Sequence, residues 1–210
     1  MDSHMTKILH QRIISINFLI AIVLLAISTI YYSIEHSHRK KENENIMLSY
    51  QTMRAANQTL LSLGQALLRL NTYTHTHDPA IIKKIPEYLE AAKVNFQTLS
   101  SLIADNSYET SLYHKTQPLF DEKIKLLSQV YQEDVRGNLQ SPILLDSALD
   151  NINENLHLIK SEELKQLTNS SIKIYTNTSS VKKMMYIFGI LCSAFFLLSF
   201  IHLNYYFKRF

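Results

Sequence analysis

Cysteine, glycine, proline and tryptophan are scarce in this 210-residue chain, and each shortage removes a class of protein. A single cysteine, Cys192, leaves no intramolecular disulfide, so an exported domain here relies on packing alone. Three glycines and four prolines, with no β-branched alternation, argue against a sheet and for helix throughout. Gly-rich phosphate loops, H-E-x-x-H and G-x-S-x-G elbows are all missing. The acidic residues Glu42, Glu44, Asp121, Glu122, Glu133 and Asp134 fall where solvated helix faces would put them. No catalytic site, cofactor or metal site is therefore expected. Net charge of +3, without a basic stripe carrying interleaved aromatics, excludes nucleic acid as a partner.

Two uncharged apolar runs are present, Ile13–Tyr32 and Met184–Phe207. About 20 helical residues cross the roughly 30 Å hydrocarbon layer, so both runs can span it. No convincing small-residue cleavage site follows the first run, which reads as an uncleaved anchor rather than a signal peptide. Tyr31, Tyr32, Tyr186, Tyr205, Tyr206 and Phe207 gather at the ends of the runs, where amphipathic rings favour the interface. His202 falls near the inner edge of the second run. Gly189, Cys192, Ser193 and Ala194 are small enough to suggest a packing face. The resulting division is a cytoplasmic N-terminus (1–12), a first span (13–33), an outer domain (34–182), a second span (183–207) and a cytoplasmic end (208–210). Lys7, Arg12, Lys208 and Arg209 favour termini inside, although Arg39, Lys40, Lys41, Lys182 and Lys183 flank the other side. The domain-sized middle tips the orientation outward, into the periplasm of a bacterial inner membrane. Met1–Met5 resembles a cloning remnant, and a natural start at Met5 is expected.

Periodicity divides the middle into four helices. The first has Ile46, Tyr50, Met53, Asn57, Leu60, Gly64, Leu67 and Asn71 in alternating steps of four and three. The second has Ile82, Ile85, Leu89, Ala92, Phe96, Leu99 and Ile103. The third carries Leu112-Leu119-Leu126 beside Tyr113-Phe120-Ile124-Leu127-Tyr131. The fourth runs Leu145, Leu149, Ile152, Leu156 and Ile159, then shifts register before Leu164 and Leu167. One apolar stripe per helix predicts a four-helix bundle. Asp78-Pro79 and Ser141-Pro142 predict helix starts. Gly137, preceded by Arg136, predicts an end. Asp105-Asn106-Ser107 predicts the turn between the second and third helices. Pro86 implies a late start or a kink, and Pro118 a kink or a helix beginning near it. No break lies between Tyr32 and Asn71, so the first bundle helix should be continuous with its span, and the fourth should run from Pro142 into the second span, although Thr176–Ser180 is a weak stretch.

Side chains that could suggest a site have plainer readings. His75, His77 and Asp78 form a polar loop tip rather than a metal site, because neighbours two apart diverge on a helix. Arg54 and Arg69 could meet an anion but sit among apolar residues over which they would snorkel. Asn57, on a helical seam, could fix register against a second copy. That makes Ile46, Tyr50, Met53, Asn57 and Leu60 a candidate dimer seam.

The order of segments is similar to the third type of CHASE domain, an extracellular four-helix sensory module of histidine kinases, cyclases and chemoreceptors. The family signature after the first helix reads Arg-Gly-Tyr-Leu-Leu-Thr-Gly-Asp. Residues 71–78 of this chain match it at Tyr73, Thr76 and Asp78, with the arginine and both glycines replaced. Leu99, Leu102, Asp105 and Asn106 resemble its Leu-x-x-Leu-x-x-Asp-Asn segment, and Glu162-Glu163-Leu164 its late acidic stretch. The resemblance covers roughly 47–180 and implies a homodimer that passes a signal from a periplasmic ligand or protein partner to a cytoplasmic output. These 210 residues contain no such output, so a receptor truncated past its membrane exit is expected. The alternative is a naturally short, two-span scaffold protein that works through a partner.

Overall fold

The structure, a computed structural model, describes residues 2–135 and 146–208, with side-chain surroundings for 12–132 and 149–205. Helix accounts for nearly all of it, and no strand occurs among the described residues. Four long helices, α1 (Asp2–Thr76), α3 (Ile85–Leu102), α4 (Ser107–Val135) and α5 (Asp146–Lys208), are joined with a one-turn helix, α2 (Pro79–Ile82). Gly137, Arg136, Ser141-Pro142 and Leu145 lie outside the described residues, as does the predicted start of the fourth bundle helix.

The short connections carry the capping chemistry. The Ala80 amide donates to Asp78 Oδ1 at 2.9 Å, with Pro79 following in the first helical turn. This cap opens only the single turn α2. The second bundle helix begins at Ile85, with Pro86 in its first turn, where a missing amide hydrogen costs nothing. Pro86 therefore marks a late start. Asn106 Oδ1 accepts from the amides of Tyr108 (3.1 Å) and Glu109 (3.3 Å), and the Thr110 hydroxyl donates to Ile103 O at 3.0 Å. Pro118 lies inside α4, which starts eleven residues earlier at Ser107 rather than near the proline.

Two compact units are present. Unit 2, Glu44–Asn169, holds one hydrophobic core drawn from all four long helices. Every residue of the stripe Ile82–Ile103 named from the sequence is buried, as are Tyr113, Phe120, Ile124 and Leu127 of α4. Phe96 is the hinge of this packing, stacked on Phe120 (centroids 4.1 Å) and on Tyr113 (4.5 Å). Two expectations need correction. On α1 the core face is Ser49, Thr52, Ala55, Ala56, Thr59, Leu63, Ala66 and Leu70. Tyr50, Asn57 and Asn71 point outward, and Ile46, Met53, Leu60 and Leu67 sit at the flanks. Small inward side chains let α1 approach its neighbours closely, so its large residues mark the edge of the contact. On α5 no register shift occurs: Ile152, Leu156 and Ile159 are followed by buried Glu163, while Leu164 is 56% exposed.

Unit 1, Met1–Asn43 with Ser170–Phe210, contains the two apolar runs. Only 6% of the most apolar window of α1 and none of that of α5 is buried, unlike the core helices of a soluble domain. Phe18 meets Phe196 edge-on at 6.4 Å. Two hydroxyls within the runs are satisfied by their own helix, Thr29 donating to Leu25 O and Ser193 to Gly189 O, both at 2.8 Å. The less exposed positions of the second run are Phe188, Cys192, Phe195, Ser199 and His202. Of the small residues proposed as its packing face, only Cys192 is among them, and the space around Gly189 is open. Just past the runs, Glu35 pairs with Arg39 at 3.5 Å, and Lys173 reaches from α5 to Glu42 on α1 at 3.7 Å. Glu42 is thus engaged in an ion pair rather than simply solvated.

Candidate functional site

The polar features of unit 2 collect at the end where the chain enters and leaves the bundle. α1 and α3 flank an open cleft of about 280 Å³ lined by Gln51, Arg54, Ala55, Asn95, Thr98 and Leu102. Thr98 donates to Val94 O (2.8 Å) and Asn95 Nδ2 to Ala91 O (2.7 Å), so both keep acceptor capacity toward the cleft. Arg54 and Gln51 supply donors. This set can hold a small polar group against an apolar floor.

At the same end, a second arrangement is buried. Glu109, in the first turn of α4, is 1% exposed, and Glu163 of α5 is 3% exposed. The Asn106 cap fixes where α4 begins and so which way Glu109 faces. Among the described residues the Glu109 oxygens have no partner other than the Glu163 carboxyl, which can donate to them only when protonated. Burial, then the neighbouring Glu163 charge, a side-chain hydrogen bond with Glu163 and, least, the Glu162 charge push Glu109 up to about 8 from an ordinary 4.5. Glu162 itself pairs with Lys165 at 3.5 Å. Thr52 of α1, fully buried one residue from Gln51, also has a hydroxyl without a hydrogen-bond partner. Two α4 turns beyond Thr116, Lys123 is fully buried as well.

The residues singled out from the sequence are mostly structural. Tyr73 packs against the core and meets His77 edge-on at 6.1 Å. Thr76 donates to Thr72 O, Asp78 caps α2, Asp105 is exposed in the turn, and Asn106 caps α4. His77 has φ 54° and its amide donates to Tyr73 O at 2.7 Å, closing α1. Arg69 does more than snorkel: its guanidinium lies 5.3 Å from the Tyr88 ring centroid and donates to Ile81 O at 3.4 Å. Among the candidate seam residues, Tyr50 and Asn57 face solvent, whereas Leu60 packs against the core. With Met47, Leu61 and Leu68 they make an exposed row on α1.

Glu109 and Lys123 do not stand out in the sequence, and Glu163 does so only within its acidic stretch, because charged residues are expected on solvated faces. A signal existed. Glu109, Thr116 and Lys123 repeat at seven-residue spacing beside Leu112, Tyr113 and Phe120, and Glu163 is one helical turn after Ile159. Comparison with protein-family models, curated proteins and solved structures finds no match.

Proposed function

We propose that this chain is a two-span membrane protein whose helical bundle lies outside the cytoplasm. Within that class it is the sensory and transmembrane portion of a bacterial signal-transduction receptor, of the histidine kinase, cyclase or chemoreceptor type. The observation that carries the reading is that α1 and α5 are each unbroken, from residues 2 to 76 and 146 to 208. A helix without a hinge passes on rotation or axial shift, whereas a flexible linker would absorb it. The weak-looking stretch Thr176–Ser180 is helical, with Thr176 and Thr178 donating to carbonyls of Ile172 and Ile174.

The resemblance to the third type of CHASE domain gains support from one residue. His77 occupies the place of the signature's second glycine and has the positive φ that glycine adopts freely. The working unit is a homodimer in lipid. Its seam is the exposed α1 row Met47, Tyr50, Asn57, Leu61 and Leu68 rather than the core-flanking Ile46, Met53 and Leu60. A periplasmic ligand or partner acts at the bundle, with the cleft beside Arg54 as its seat.

The test fuses a cytoplasmic kinase core after Phe210 in a series of helical phases, with Cys192 replaced by serine. Cysteine pairs then tether α1 to α5 inside the bundle. Kinase activity should change on tethering and repeat with every seventh residue of linker. A scaffold that senses nothing gives the same activity tethered or free, at every phase.

A further inference from the structure

We propose that Glu109 and Glu163 form a proton-operated latch, holding the first turn of α4 against α5 while the pair carries a proton and releasing it when the proton leaves. The geometry is that of two carboxyls on separate helices, both buried at one end of the core. From α5 the charged groups acting on Glu109 are Glu163 and Glu162. From α1 the buried side chains near this level are Ser49 and Thr52, and from α3 they are Leu99 and Ile103, none of them titratable in this range. Burying one carboxylate without a partner is costly, and a second beside it more so. The two carboxyls lie within hydrogen-bonding reach of each other, and a shared proton lets one donate to the other where two carboxylates could only repel. The pair titrates as a unit.

The direction of the pH effect follows. The closed state holds its proton up to about 8, whereas a water-exposed carboxyl releases it near 4.5. Closure is therefore strongest below the lower value, weakens steadily between the two, and stays weak above the higher one. Most carboxylates in folded proteins act in the opposite sense. The latch stands whether or not the chain is a receptor, because it concerns only how α4 and α5 meet.

The experiment uses the full chain in lipid nanodiscs, with Cys192→Ser and spin labels at Tyr108→Cys on α4 and Ser161→Cys on α5. The interlabel distance should be short and narrow at pH 5.5, and longer and broader at pH 9, with its midpoint inside the window between about 4.5 and 8. Glu109→Gln, neutral at every pH, should keep the short distance throughout, and Glu154→Gln on the exposed face should behave like the parent. A parent distance that does not change with pH overturns the latch, and so does an unaltered transition in Glu109→Gln. Should Glu109→Gln lose its helicity, Glu163→Gln decides. Removing the like charge should lower the midpoint by at least about one pH unit, a tenfold change in proton affinity, and an unmoved midpoint rejects the proposal. Loss of the kinase response in the fusion assay with an intact pH transition would reject the receptor reading alone.

Discussion

His77 carries a left-handed backbone at the end of α1, a conformation that costs an L-residue about 1–2 kcal/mol relative to glycine. Its ring contact with Tyr73 returns part of that. His77→Gly should stabilise the bundle by about 0.5–1 kcal/mol, read as a higher midpoint in thermal unfolding of the micelle-solubilised chain. Asn106 acts in the other direction. Its side chain satisfies two orphan amides at the start of α4, and Asn106→Ala should cost about 1 kcal/mol. Because the same cap orients Glu109, that variant should also blunt the pH dependence of stability between about 5 and 8. Equal pH profiles for Asn106→Ala and the parent would mean that the cap and the carboxyl pair are independent. Phe96 sandwiches two aromatic neighbours, and Phe96→Ala, opening a cavity between α3 and α4, should cost about 3–5 kcal/mol.

Whole helices were legible in proportion to the size of their inward residues. The stripe Ile82–Ile103 reads cleanly because its core positions are nearly all large and its outward positions mostly polar. The turns also read well, since Asp78-Pro79 and Asn106 state their caps in their own chemistry. α1 was legible in extent but not in phase. Up to Thr59 its core face is serine, threonine and alanine, with Leu63 and Leu70 joining further along, and the large residues Ile46, Met53, Leu60 and Leu67 stand at the flanks, so a pattern built on bulk follows the wrong seam. In α5 the sequence suggests a shift to Leu164 because a glutamate at the next stripe position looks like a break. The structure keeps the register and buries the glutamate. This difference is measurable. Leu156→Ala should cost about 2–5 kcal/mol, as for a core leucine, and Leu164→Ala should fall within about 0.5 kcal/mol of the parent. A large loss at Leu164 with little at Leu156 would reinstate the shifted register. The carboxyl pair was the least legible feature, because spacing reports which face a residue occupies but not whether its charge has been removed.

At the scale of the molecule, the proposed topology rests on parity before it rests on charge. Two crossings place residues 2–12 and 208 on one side and everything from 34 to 182 on the other, whichever way the chain inserts. The exposure of the apolar runs suits lipid on most of their circumference, since side chains such as Leu19, Ile30, Ile190 and Phe200 would otherwise face water. Beyond the first run charges are paired, the buried Glu35 with Arg39 and the partly buried Glu42 with Lys173 of α5. Orientation then depends on Lys7, Arg12, Lys208 and Arg209, which sit close to the runs and on short segments where the positive-inside bias acts. In Cys192→Ser chains carrying single cysteines in intact cells, Lys93→Cys and Glu154→Cys should react with a membrane-impermeant maleimide. Thr6→Cys should react only after lysis. Labelling of all three from the same side would mean that the first run does not cross. Reaction of Thr6→Cys alone in intact cells would keep the first span and invert the protein, placing the bundle and its carboxyl pair in the cytoplasm.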